Sequence, residues 1–125
     1  MEKESKILIV EDEKDLREVL KTKIENEGFI TFVGKDGIEG LELAFEHHPD
    51  LILLDMIMPH MDGITMLKRL RKDDAWGKKV PVIILTNLAD VSKTSDAVKL
   101  KVHDYLVKSD WKLEDLIKKI KDKLA

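Results

Sequence analysis

The stretch from Leu51 to Gly63 reads LILLDMIMPHMDG and decides the fold of this chain. Its first four residues are all apolar, which is typical of a short strand buried on both faces of a parallel sheet. Asp55 follows this run at once, and Pro59 and Gly63 predict a loop that leads into a helix. The decisive pattern is therefore an apolar strand that ends on a carboxylate.

Four more short apolar runs occur in the chain: Ile7–Val10, Phe29–Val33, Val80–Leu85 and Tyr105–Val107. Stretches with helical spacing of apolar residues lie between them, and a weaker one at about 91–100 brings the number of helices to five. This alternation predicts an α/β fold, with a five-stranded parallel sheet covered by helices on both faces. No linker or repeat interrupts it, so we expect a single domain over residues 1–125 with a core from about 6 to 124.

Composition excludes several classes of site. The chain has 125 residues, 22 basic and 25 acidic, and a formal net charge of −3. This balance gives no electrostatic reason to expect direct binding to nucleic acid or to a membrane. The chain has no cysteine, which excludes disulfides and thiolate chemistry. The first apolar run is too short for a signal peptide or a membrane span, so we expect a cytoplasmic protein.

The chemistry is expected at the carboxyl ends of the strands, where ligands bind in open α/β sheets. The polar residues that follow the apolar runs are Glu11, Asp12, Asp55, Thr86 and Lys108. Three crowded carboxylates repel one another unless a cation shares the site, and Mg²⁺ prefers such oxygen ligands. Thr86 and Lys108 could donate hydrogen bonds to an anion that the metal also binds. This set predicts phosphoryl transfer, with Asp55 as the nucleophile.

Each of these residues also has an ordinary structural explanation. Asp12 alone would be read as the N-cap of a helix that begins near Lys14. Thr86 alone is more often a strand-end hydroxyl bonded to the backbone, and Lys108 alone is more often a solvated surface charge. Their joint occurrence directly after apolar runs favours one shared site.

Four segments carry a resemblance to a known family: ILIVED at 7–12, LILLDMIMPHMDG at 51–63, VIILT at 82–86 and DYLVK at 104–108. Together they resemble the receiver domains of response regulators, over nearly the whole chain. The resemblance implies a flavodoxin-like fold with strand order 2-1-3-4-5. It also implies a phosphoacceptor domain of two-component signalling, which is not an enzyme beyond its own phosphorylation and dephosphorylation.

The resemblance assigns the metal ligands. Asp12 resembles a direct Mg²⁺ ligand, and Glu11 resembles its acidic neighbour, which acts through water. Asp55 resembles the phosphoacceptor, which also binds the metal. The backbone carbonyl of Ile57 is expected to complete the protein's share of the metal shell.

The resemblance also assigns the switch. Thr86 resembles the switch hydroxyl, Tyr105 the switch aromatic, and Lys108 the lysine that pairs with the phosphoryl group. Phosphorylation would then change the surface formed by the fourth helix, the fifth strand and the last helix. The implied phosphodonor is a histidine kinase or a histidine phosphotransfer protein. The downstream effector or fused output domain is undetermined, and a phosphorylation-dependent dimer is one state that the family allows.

Three other functions are compatible with parts of this pattern. A dinucleotide-binding domain shares the fold class, but the turn at Glu11–Glu13 has no glycine fingerprint. An aspartate-nucleophile phosphatase would have a second Asp two positions after the nucleophile, where this chain has Ile57. The third alternative is a receiver-like interaction module that is never phosphorylated, and the full set of acidic, hydroxyl and lysine residues argues against it.

Overall fold

The structure is a computed structural model that describes residues 4–56, 58–73, 75–86, 104–107 and 112–124. The strands are β1 (Lys6–Val10), β2 (Ile30–Gly34), β3 (Leu51–Asp55), β4 (Val82–Thr86) and β5 (Asp104–Val107). The helices are α1 (Lys14–Asn26), α2 (Gly37–His47), α3 (Gly63–Arg71) and α4 (Leu113–Leu124). The helix predicted at about 91–100 lies outside the described residues.

The five strands form one parallel sheet in the order β2-β1-β3-β4-β5, which confirms the expected fold. In this order β1 and β3 are neighbours, and Val10 is in register with Leu54. The residues that follow Val10 and Leu54 therefore emerge side by side at the carboxyl edge of the sheet. This edge is the place where the sequence predicts the site.

Both faces of the sheet are buried under helices. Successive strand residues point to opposite sides, so each strand contributes side chains to both halves of the core. On one face, alternate residues of β1, β3 and β4 pack in one cluster with residues of α2 and α3: Leu8, Val10, Ile52, Leu54, Val82, Ile84, Ala44, Met66, Leu67 and Leu70. On the other face, the intervening residues pack with α1 and α4: Ile7, Ile9, Leu51, Leu53, Ile83, Leu85, Leu20, Ile24, Leu116, Ile117 and Ile120. This two-sided burial explains why the strands read as continuous apolar runs.

The ends of the helices follow local sequence signals. Asp62 is the N-cap of α3 and accepts a hydrogen bond from the backbone N of Thr65 at 2.8 Å. Gly28 follows α1 with a φ of 95°, the left-handed conformation that glycine adopts readily, as the predicted stop signal requires. None of the helices in the described part of the chain combines the length and apolarity needed to cross a membrane.

Candidate functional site

Glu11 and Asp12 form an acidic loop directly after β1. The backbone N of Glu11 donates to the carbonyl of Gly34 at 3.0 Å, so the end of β2 holds the start of this loop. Arg17 Nη1 donates to the carbonyls of Glu11 and Asp12 at 3.0 and 3.3 Å. One guanidinium group in the first turns of α1 therefore fixes the path of the backbone that carries both carboxylates.

Asp12 does not act as a helix cap. The N-cap position of α1 is Glu13, and no side chain makes a capping hydrogen bond there. The Asp12 residue is exposed, whereas Glu11 is buried. The structure thus removes the ordinary explanation for Asp12 that the sequence had allowed.

Asp55 is the last residue of β3, and it is only 4% exposed. Its backbone is in register with Leu85 of β4. Just beyond, the backbone N of Gly63 donates to the carbonyl of Met56 at 2.9 Å. A Cβ atom at Gly63 would collide with the carbonyl oxygen of Asp55, so this close approach requires glycine.

The three carboxylates of Glu11, Asp12 and Asp55 converge at this edge. One oxygen from each lies within 4.8 Å of the others, two of the three residues being buried. Mg²⁺ binds oxygen at about 2.0–2.1 Å, so two ligands on opposite sides of the ion are about 4.2 Å apart. A spread of up to 4.8 Å leaves room for one of the three to reach the ion through water. The donor set is thus of the kind that holds a hard divalent cation.

The loop between β3 and α3 rests on the start of α2. His60 Nδ1 lies 2.9 Å from Asp36 Oδ2, and the backbone N of Gly37 donates to the carbonyl of Met61 at 3.0 Å. Hydrogen bonds from the backbone N of Glu39 and from His60 hold the pKa of Asp36 below its usual value. The contact between His60 and Asp36 was not predicted from the sequence. The Asp-x-x-Glu spacing of Asp36 and Glu39 is a recognisable helix-start signal and could have indicated the role of Asp36.

The structure locates only part of the predicted set of site residues. Thr86 ends β4 and is in register with Val107 of β5, which places its backbone near the same sheet edge as Asp55. The backbone of Tyr105 lies in β5, but the side chains of Thr86 and Tyr105 are not among those described. Ile57 and Lys108 lie outside the described residues.

The sequence is similar to one family of known proteins. A family model described as the response regulator receiver domain matches residues 7–121. The chain is 38% identical over 104 residues to regulatory protein AtoC of Escherichia coli, a match that covers 83% of this chain and 22% of that protein. It is 31% identical over 116 residues to response regulator MprA of Mycobacterium sp. strain KMS, covering 93% and 49%. The chain spans less than half the length of these curated relatives.

Solved structures show the same likeness. The Francisella response regulator 1452 receiver domain is 35% identical, with a TM-score of 0.84 and 95% of each chain covered. The receiver domain of sensor histidine kinase PA1611 from Pseudomonas aeruginosa is 28% identical, with a TM-score of 0.82 and 93% of each chain covered. That second structure has a magnesium ion coordinated in its active site cleft.

Proposed function

Because this chain belongs to the response regulator receiver domain family, we propose that it is a single receiver domain over residues 1–125 that is phosphorylated on Asp55. The observation that carries the proposal is the convergence of three carboxylates, within 4.8 Å, at the carboxyl edge of the sheet. In the reaction, a carboxylate oxygen of Asp55 attacks the phosphorus of a phosphohistidine. The new O–P bond forms as the P–N bond breaks, and the imidazole leaves. The product is an aspartyl phosphate.

The proposed metal ligands are Asp12 and Asp55 directly, Glu11 through water, and the carbonyl of Ile57. Bound Mg²⁺ would offset the charge of the carboxylates and of the phosphoryl oxygens. Arg17 fixes the backbone of the acidic loop through the carbonyls of Glu11 and Asp12. The carboxylates would then be held in place before the metal binds, so that little reorganisation accompanies phosphoryl transfer.

The proposed switch uses Thr86, Lys108 and Tyr105. Thr86 and Lys108 would donate to the phosphoryl oxygens, and the movement of Thr86 would draw in Tyr105. The surface of segment 91–100, β5 and α4 would change as a result. The register of Thr86 with Val107 supports this arrangement, because it brings the ends of β4 and β5 to one edge.

The proposed partners follow from family membership. A histidine kinase or a histidine phosphotransfer protein would supply the phosphoryl group, and the phosphorylated surface would bind a downstream effector, an output domain or a second copy of the chain. We also propose that the domain acts in the cytoplasm and binds neither nucleic acid nor a membrane directly. The formal net charge of −3 supports this last point.

Intact-mass spectrometry after treatment with acetyl phosphate tests the proposal. A receiver will gain the mass of one phosphoryl group with Mg²⁺ and none with EDTA. A chain that keeps its mass under both conditions is instead an interaction module, and the proposal fails. Continuous release of phosphate from unrelated phosphoesters would indicate a phosphatase and would also contradict it.

The two residues of the acidic loop are expected to differ in their effect on the metal. Asp12→Ala will weaken Mg²⁺ binding by more than about tenfold, because it removes a direct ligand. Glu11→Gln will cost less, because its contact is through water and the amide can still hold that water. Isothermal titration calorimetry measures both affinities. Glu13→Gln is the matched control, since it removes a neighbouring charge outside the cluster; an equal loss in all three variants would contradict ligation by Asp12.

Replacing Lys108 is expected to separate phosphorylation from the surface change. Lys108→Ala will keep its Mg²⁺ affinity within about twofold, because the lysine acts on the phosphoryl side of the site. The NMR shifts of segment 91–100 will no longer respond to phosphorylation as they do in the wild type. Lys112→Ala, which removes an exposed lysine close in sequence, is the control. Equal shift changes in Lys108→Ala and wild type would refute the proposed switch.

A further inference from the structure

We propose that His60 is a positioning residue for the acidic site. Its pairing with Asp36 holds the loop of residues 58–62 against the start of α2, and this keeps the backbone that follows Asp55 in the form that binds metal. The inference rests on the proposed function in one respect, namely that Mg²⁺ is the ligand. Three features of the loop support it.

The first feature is the backbone conformation of His60. Its φ is 66°, in the left-handed region that side chains other than glycine seldom adopt. A residue persists in this conformation only when its surroundings hold it there. His60 is 69% exposed, so the packing of its ring contributes little to that restraint. The backbone N of Met61 donates to the carbonyl of Pro59 at 2.7 Å and closes the turn around His60. A specific contact of the side chain adds to this restraint.

The second feature is that contact. His60 Nδ1 lies 2.9 Å from Asp36 Oδ2. Asp36 is itself fixed, because its other oxygen, Oδ1, accepts from the backbone N of Glu39 at 2.8 Å as the N-cap of α2. The Asp36 side chain is only 17% exposed. Asp36 is thus the fixed partner of the pair, and the contact with His60 attaches the loop to it.

The third feature is a second contact at the next residue along each segment. The backbone N of Gly37 donates to the carbonyl of Met61 at 3.0 Å. A Cβ atom at Gly37 would lie 2.6 Å from that same oxygen, so loop and helix approach as closely as glycine permits. The loop is also closed at its base by Gly63 and Met56. The loop of residues 58–62 is therefore held both at its base and in its middle.

The alternative is that the contact between His60 and Asp36 contributes only to stability, and only slightly, as surface pairs usually do. His60→Gly distinguishes the two, because glycine loses the pair and also relieves the backbone strain. A positioning role predicts that the midpoint of urea unfolding stays the same or rises while Mg²⁺ affinity falls about threefold, which is within the range for a partly exposed pair. A role in stability alone predicts an unchanged affinity.

The experiment compares wild type, His60→Gly, Asp36→Asn and the double variant. Asn at position 36 can still cap α2 but lacks the charge. We expect the metal-free amides of the 58–62 loop to exchange faster in each variant, and each Mg²⁺ dissociation constant to rise about threefold, with no further rise in the double variant. Lys21→Ala, which removes the exposed Lys21–Glu25 pair of α1, is the control and should change neither quantity.

Two outcomes separate this inference from the proposed function. Wild-type affinity in His60→Gly would overturn the positioning role, while phosphorylation of Asp55 could still be observed. A wild type that binds Mg²⁺ but is never labelled on Asp55 would overturn the proposed function, while the effect of His60→Gly on loop exchange and affinity would stand.

Discussion

Asp55→Asn will leave a folded chain that takes no phosphoryl group from acetyl phosphate. The amide has the shape of the carboxylate but lacks its nucleophilic oxygen, so labelling should fall by more than about 100-fold. Asp55 is buried beside two other carboxylates. Removing one of three mutually repelling charges should therefore raise the urea midpoint of the metal-free protein.

Intact-mass spectrometry and urea unfolding on the same preparations measure both effects. Asp62→Asn is the matched control, because Asp62 lies in the same loop and Asn can replace it as the cap of α3. This control should be labelled like the wild type. If Asp55→Asn were labelled at the wild-type rate, a different residue would be the phosphoacceptor and the assignment of the site would be wrong.

Gly63→Ala is expected to damage the fold and the site together. The new Cβ would collide with the carbonyl oxygen of Asp55 and would lie 3.0 Å from the Cα of Met56. Both are backbone atoms, which cannot rotate away as a side chain can. We expect a loss of about 2–4 kcal/mol in the free energy of unfolding, a large part of the stability of a small domain. Mg²⁺ affinity should fall as well, because the displaced backbone belongs to Asp55.

Urea denaturation and calorimetric Mg²⁺ titration test this prediction. Gly28→Ala is the control: Gly28 also requires glycine, with its φ of 95°, but nothing lies within 4 Å of an added Cβ. Its cost should come from backbone strain alone, at about 1 kcal/mol, with no change in metal binding. An unchanged Mg²⁺ affinity in Gly63→Ala would show that the backbone at Asp55 does not depend on this contact.

The elements of the sheet were predictable because β1 and β3 are buried on both faces and lack any polar alternation. The first and last residues of each strand were harder to predict. The run at Val80–Leu85 predicted a strand from residue 80, but β4 begins at Val82. Pro81 has no backbone N–H to donate, and the backbone N of Val80 donates to the carbonyl of Trp76 at 3.2 Å. The strand order came from the family resemblance rather than from the pattern of apolar residues.

The convergence of the three carboxylates was also predictable, because parallel strand ends meet at one edge. The contacts that hold them were not. Arg17 donates hydrogen bonds to two backbone carbonyl groups, and the sequence does not indicate which way a carbonyl group in a loop points. His60 and Asp36 are 24 residues apart, and their contact goes with a left-handed backbone conformation at His60. Such contacts depend on dihedral angles that a one-dimensional pattern does not contain.

The position of β3 has a mechanical consequence. This strand is hydrogen-bonded to β1 on one side and to β4 on the other, and the backbone of Gly63 lies against its final carbonyl. The main chain of Asp55 is therefore restrained by neighbouring backbone on both sides and at its end. A bulky group attached to this side chain cannot be accommodated by retreat of the strand. Such a group would therefore be accommodated by the side chains around Asp55 rather than by the strand itself.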